Sequence, residues 1–367
     1  MSKNLKTISQ NAWSEIEKIQ SQYGYSDIDK NFYLGRLKES TYFADKFSCH
    51  DHAEYLNEVP IEKASIITGF GPTNTPTAGT LSVLLKAINL QKETGFYTEI
   101  IISELGAWNS RNMPMEDLIR NAQKFIEFIK LIGFDYDNGR VHTHLDYNNL
   151  IVSGTLGKIL TEKDFRDNKE ATDALYDAMA LRTNALGIMV DGLYTVSDIL
   201  NPLFTKNKNR VLVLAGIEEH YFTLLARIAL ERIRDNYPSL LPNVENVKIG
   251  AMYTKLVEGL YPYPKMSKSI PDSAININDS FSNLKKKIID CDPRNERIIL
   301  QMIHLVSNWS KEKLDLVNNA YAEQSTEWHQ YKVEYYEYFA ELAKKWKQVE
   351  EKFASKSIFY QNVFKND

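Results

Sequence analysis

Between Lys63 and Leu105 the chain reads KASIITGFGPTNTPTAGTLSVLLKAINLQKETGFYTEIIISEL, a grammar that leaves few folds open. A short β-branched run, SIIT, meets a loop of Gly, Pro, Thr and Asn. An apolar-periodic helix then begins near Thr80 and stops at Gly95, and the isoleucine run of FYTEIIISEL reads as a second buried strand. Strand, glycine loop, helix, strand is the first crossover of a parallel sheet, so the fold class is α/β. RVLVLAGIEEHYFTLLARIALERI repeats the pattern, and VKIGAMYTKLV supplies a further strand. The middle, about 106–190, reads mostly as helices, among them MEDLIRNAQKFIEFIKLIGF and KEATDALYDAMALRTNALGIM. It is expected to be a helical insertion between two halves of one sheet.

At 367 residues, with 43% apolar and 25% charged side chains, the chain has room for two or three domains around a sizeable core. A net charge of -4 gives no global footprint for DNA or RNA, so any nucleic-acid contact must use a local patch. Cys49 and Cys291 are far apart and belong to no metal-spaced cluster, which argues for a reducing compartment and against a disulfide framework. His50 and His52 lie near Cys49 and Asp51, but no second ligand pair at zinc spacing accompanies them. The first twenty residues lack a signal peptide's apolar core, and no stretch approaches the length of a membrane span. The expectation is a cytoplasmic protein with no metal centre and no membrane partner.

Two loops carry chemistry. In GFGPTNTPTAGTL, Gly69, Gly71 and Gly79 allow close backbone approach to a ligand, and the free N–H groups at the helix start favour an anion. Thr77 and Thr80 add hydroxyls. The loop is neither a Walker A motif nor a Gly-x-Gly-x-x-Gly fingerprint, and a Gly/Pro turn before a buried helix also accounts for it. The second loop, YPYPKMSKSIPDSAINI, sets Lys265 and Lys268 around Met266 and Ser267, with Ser269 following. Alone it reads as a solvated turn.

Taken as a pair, the loops resemble those of class I aminoacyl-tRNA synthetases, which couple a His-Ile-Gly-His loop to a distant Lys-Met-Ser-Lys-Ser loop. The second motif is present letter for letter from Lys265 to Ser269, and the first is relaxed to Thr77-Ala78-Gly79-Thr80. The tryptophanyl and tyrosyl branch is the most similar. Gly69–Pro72 matches its G-x-x-P turn, and MSKSIPDSAI is similar to the tryptophanyl MSKSDPNSAI. LYTVSDIL resembles the segment whose aspartate, here Asp198, faces the amino-acid side chain. AGIEEHYFTLLAR resembles a G-x-D-Q stretch with Arg227 following it. These matches run in family order over about 64–290.

The resemblance implies a Rossmann-type catalytic domain over 63–277, an N-terminal helical extension over 1–62 and an all-helical, anticodon-binding-like domain over 278–367. It implies activation of an amino acid with ATP, magnesium accompanying the nucleotide, then transfer to tRNA by a homodimer. Lys265, Lys268, Thr77 and Thr80 would be catalytic. ATP would also be held by Gly69, Gly71, Pro72, Gly79, Gly216, Met266, Ser267 and Ser269. Ile67, Ile101, Thr195, Asp198, Glu218 and Glu219 would face the amino acid. The substrate carboxylate is already ionised at neutral pH, so His142, His144 and His220 receive no catalytic role. Lys285, Lys286, Lys287 and Arg294 form a local basic cluster suited to tRNA phosphates or to a plain solvated helix face. The aromatic run WHQYKVEYYEYF suits base stacking or helix packing.

The pattern departs from the branch where selectivity resides. Glu218 and Glu219 stand where Asp-Gln is common, and Ile270 and Asp272 replace an aspartate and an asparagine. Ile67 and Ile101 occupy positions where a tyrosine and a polar indole-binding residue are common. Tryptophan is the leading substrate. The alternatives are a paralogue adenylating tyrosine or a modified amino acid, and an inactive nucleotide- or RNA-binding relative.

Overall fold

In the computed structural model a short helix, α1 (Ser40–Lys46), leads into β1 (Phe47–Asp51). The crossover then forms as β2 (Ala64–Phe70), α2 (Ala78–Thr94) and β3 (Tyr97–Ile102). Residues 17–110, 113–145, 150–167, 185–263, 266 and 271–354 are described. Thr77 caps α2, its hydroxyl accepting the Thr80 N–H at 3.2 Å. Gly95 closes the helix in the left-handed region at φ +77°, where its N–H donates to the Gln91 carbonyl. The middle of the chain supplies α3 (Glu104–Ser110), α4 (Met115–Leu131), β4 (Gly139–Thr143), α5 (Leu150–Ile159), α6 (Glu162–Asp167) and α7 (Ala185–Thr205). The second half of the sheet follows as β5 (Arg210–Gly216), α8 (His220–Asn236) and β6 (Lys248–Thr254). Beyond it come α9 (Phe281–Ile288), α10 (Glu296–Leu305), α11 (Lys311–Glu323) and α12 (Thr326–Phe353).

The sheet order is β1-β6-β5-β2-β3-β4, with β6 to β4 parallel and β1 antiparallel at the edge. Two expectations are corrected here. The N-terminal segment read as helical contributes β1, and the middle read as a helical insertion contributes β4. Neither strand shows an apolar run. FSCHD and GRVHT are short and half polar, and pairing to a neighbour already in the sheet supplies what their sequences do not.

Side chains alternate across the sheet into two apolar layers. Ile66, Ile100, Ile102, Leu212 and Leu214 face one layer. Ile67, Ile101, Val211, Val213 and Ala215 face the other, against α5, α7 and α8. The first layer does not end at α2 and α4. Trp346 of α12 packs on Phe125 and Phe128 of α4 at ring-centroid distances of 5.2 and 5.3 Å, so the C-terminal helices share its core. Of the aromatic run in α12, Trp328, Tyr335 and Phe339 are buried there, which is packing rather than an open stacking surface. Among the described residues no helix is long and apolar enough to cross a membrane.

One feature of this layer is costly. Lys46 and Lys86 are each 1% exposed. Lys46 donates to the His304 carbonyl at 2.7 Å, and Lys86 donates to the Ser82 hydroxyl at 2.6 Å while lying over the Phe47 ring. Burial, with Lys46 and Lys255 as like-charged neighbours, holds the Lys86 pKa well below the ordinary lysine range.

Candidate active site

The strand order reverses direction at β2, which pairs with β3 on one side and β5 on the other. In an open parallel sheet, the crevice at the carboxyl ends of such strands binds ligands. A cavity of about 200 Å³ lies there. Its apolar walls include Ile67 of β2, Ile101 of β3, Val213 of β5, Ile199 of α7 and Phe222 of α8. Its polar lining includes Ser103, Asp191, Thr195, Asp198 and Glu219. Gly69 and Gly71 complete the wall toward the glycine loop. A Cβ at Gly69 would stand 3.0 Å from the Ile101 carbonyl oxygen, close enough that the neighbouring backbone would have to shift by a few tenths of an ångström.

Asp191, Thr195 and Asp198 follow i, i+4, i+7 spacing and so share one face of α7. Two helical turns separate the carboxylates along the axis by about 10 Å, enough to address different parts of a small ligand. Asp198 is buried, and His144 reaches it from the turn after β4, with Nε2 2.8 Å from Oδ2. Burial works against protonation of His144, but the fields of Asp198, Glu104 and Asp191 outweigh it, and its pKa is raised. Asp191 reaches close to Gly106, where any Cβ would run into its carboxylate and the Ser103 hydroxyl. Glu219 opens α8. Protein packed around it, then the fields of Glu218 and Asp191, raise its carboxyl to about 8. The side chain nonetheless reaches solvent in the cavity, which tempers that rise. The arrangement therefore offers an apolar slot with a fixed carboxylate acceptor and, on the same wall, a cluster of acids suited to a cation.

A model of the "tRNA synthetases class I (W and Y)" matches residues 203–360. The tryptophan–tRNA ligase of Methanopyrus kandleri is 24% identical over 282 residues, covering 75% of this chain and 70% of the relative. Over residues 203–360, and over most of its length against the relative, the chain is similar to class I tRNA synthetases of the tryptophan and tyrosine branch. The fold agrees with that of solved tryptophanyl-tRNA synthetases. A tryptophanyl-tRNA synthetase from Giardia lamblia superposes with a TM-score of 0.67 at 16% identity, covering 96% of both chains. One from Encephalitozoon cuniculi bound to tryptophan gives 0.63 at 17%, covering 95% of this chain and 97% of that one.

The structure brings together only part of the residue set that the resemblance implies. Ile67, Ile101, Thr195, Asp198, Glu219, Gly69 and Gly71 line one cavity. Thr77, Gly79 and Thr80 sit at the start of α2, off the cavity wall, and the two threonine hydroxyls are 3.0 Å apart. The Pro72 carbonyl accepts from Asn121. Glu218 folds its carboxylate back over Gly216, at the end of β5, instead of lining the cavity. Lys265, Ser267, Lys268, Ser269 and Ile270 lie outside the described residues, while Met266 packs against the first apolar layer.

Other candidates are committed elsewhere. Arg227 pairs with Asp51 of β1 at 2.6 Å. His220 is fully buried against Tyr25, with Nδ1 2.8 Å from the phenol oxygen, and burial lowers its pKa to about 4. His142 faces Glu99 within the sheet. In the basic cluster, Lys285 and Lys286 are exposed, but Lys287 bonds Asp279 and the Ala274 carbonyl. Arg294 pairs with Asp292 and lies over the Tyr261 ring. The sequence reading missed Ser103, Gly106, His144 and Asp191. The helical spacing of Asp191 from Asp198 was a usable signal, as was the position of Ser103 and His144 just beyond strand ends.

Proposed function

We propose that the protein activates tryptophan with ATP to an aminoacyl-adenylate and passes the acyl group to tRNA. The observation that carries this reading is the cavity that places the apolar Ile67 and Ile101 beside the Asp198 carboxylate, suited to a flat apolar ring bearing one N–H donor. Tryptophan–tRNA ligases among the relatives support it. In the reaction, a carboxylate oxygen of the amino acid attacks the α-phosphorus of ATP, and the bond to the bridging oxygen breaks as pyrophosphate leaves with the electron pair. A ribose hydroxyl of tRNA then attacks the carbonyl carbon and releases AMP. Asp191 and Glu219 accept hydrogen bonds from the α-ammonium, whose positive charge counters the raised pKa of Glu219 and favours its carboxylate form. The N-terminus of α2, with Thr77 and Thr80, receives phosphate oxygens, and Lys265 and Lys268 offset charge on the leaving group. Magnesium would accompany the triphosphate, bridged mainly by phosphate oxygens. The helices from 278 onward form the tRNA-facing module, with Lys285 and Lys286 of α9 as phosphate contacts, in a cytoplasmic homodimer paired through the insertion region.

Pyrophosphate exchange with a panel of amino acids tests the reading. Tryptophan is expected to support the fastest exchange. No tryptophan-dependent exchange removes the specificity, and none with any amino acid removes the activity. A second reading is favoured by the internal pairing of Lys287 and Arg294, which thins the basic cluster. In it the adenylate serves another acceptor, and robust exchange without charging of any cellular tRNA is its signature.

Gly106→Ala probes the ammonium contact. A methyl group there displaces the Asp191 carboxylate, and loss of a charged hydrogen bond of this kind raises the amino-acid KM by about tenfold or more. The KM for ATP should stay near wild type. An unchanged amino-acid KM would show that Asp191 does not bind the ammonium.

A further inference from the structure

We propose that His144 is a positioning residue that holds Asp198 as the side-chain acceptor of the pocket and so sets its preference for a ring N–H donor; this rests on the cavity being the amino-acid site. A carboxylate among Ile67, Ile101, Ile199 and Val213 is costly to bury without a partner, and it can relieve that cost by turning away. His144 closes that route. Its Nε2 lies 2.8 Å from Asp198 Oδ2, and the imidazole is itself buried, behind the cavity lining. Its Nδ1 is 3.4 Å from the hydroxyl of Ser103, which does line the cavity. The ring thus stands between two groups that a ligand touches, while touching none itself.

The turn that carries the ring is also clamped. The backbone N–H groups of His144 and Leu145 donate to the two carboxylate oxygens of Glu104 at 3.3 and 2.7 Å. The ring of Tyr194 packs at 5.3 Å. The charged groups facing the imidazole are Asp198 and Asp191 from α7 and Glu104 from α3, all of them acids. Their combined field favours the imidazolium, and an imidazolium donor at 2.8 Å holds the Asp198 carboxylate in place. An ionised carboxylate only accepts, so a substrate ring that offers a donor is paired, and an isosteric ring without one leaves a buried acceptor unmet.

Exchange kinetics with tryptophan and with benzothienylalanine, which has ring sulfur in place of N–H, test this. Wild type is expected to favour tryptophan in kcat/KM by roughly tenfold to a hundredfold. His144→Ala should shrink that ratio about tenfold, through the tryptophan KM and not the ATP KM. His144→Gln, which keeps a donor toward Asp198, should restore part of it. A His144→Ala protein that slows both amino acids equally overturns the proposal, because that is the signature of a merely structural role. NMR titration of the imidazole gives a readout independent of turnover. His144 should titrate above the ordinary histidine value in wild type and fall in Asp198→Asn. A ring that titrates at its ordinary value in both proteins overturns the pairing. Wild-type exchange with some other amino acid and none with tryptophan would overturn the substrate assignment, while the titration still decides the pairing.

Discussion

The Lys268→Ala protein is expected to lose amino-acid-dependent pyrophosphate exchange by about a hundredfold or more while remaining folded. As the α-phosphorus–oxygen bond breaks, negative charge grows on the bridging oxygen and the departing pyrophosphate. The helix start at Thr77–Thr80 offers partial positive charge, but the glycine loop between β2 and α2 has no lysine or arginine of its own. The cavity beside it is acidic, with Asp191, Asp198 and Glu219 on its wall. A triphosphate brought to this crevice needs cations from outside it, and on the proposed reading the two lysines of the KMSKS sequence supply them. Lys268→Arg should recover part of the rate, because the charge is kept while the geometry changes. Measured kcat, ATP KM and melting temperature together separate a chemical loss from a folding one. Near-wild-type exchange in Lys268→Ala would exclude this use of the loop.

Lys86→Met should stabilise the protein by roughly 2 kcal/mol at neutral pH, since an apolar side chain of similar length replaces a cation confined among apolar groups. The pH dependence follows from the same burial. The folded-state pKa of Lys86 is lowered, that of Lys46 falls to about 8, and Lys255 is lowered as well. An unfolded chain therefore holds protons that the folded chain gives up. Stability rises with pH from the lowered folded values toward the ordinary lysine value of about 10.4, and it falls as pH drops through that window. Denaturant unfolding at pH 7, 8 and 9 should show a climbing wild-type midpoint and a flatter one for Lys86→Met. A variant less stable than wild type at pH 7 would mean that packing of the lysine stem outweighs desolvation of its charge.

The central fold was legible in the chain because its periodicity is local. The Ile66–Ile67 and Ile100–Ile102 runs, the glycine loop and the Gly95 stop each carry their signal within a few residues. Strands β1 and β4 were not legible, since Cys49-His50-Asp51 and Arg140-Val141-His142 reveal themselves only against the neighbours they pair with. The site divides the same way. Asp198 was found by resemblance, but its dependence on His144 spans 54 residues and exists only once β4 lies beside β3. Asp191 was missed although its spacing from Asp198 was visible, because a lone acid on a helix usually faces water. Lys287 and Arg294 read as free cations when Asp279 and Asp292, close by in sequence, already held them.

Strand β1 also acts as a guard. It covers the hydrogen-bonding edge of β6, and its Asp51 holds Arg227 on α8. A chain trimmed to begin at Ala64 would keep every residue of the cavity wall yet bare the edge of β6 from Ala251 to Thr254, three of these four residues apolar. Such an edge recruits other strands, so the shortened protein is expected to self-associate even with its crevice intact.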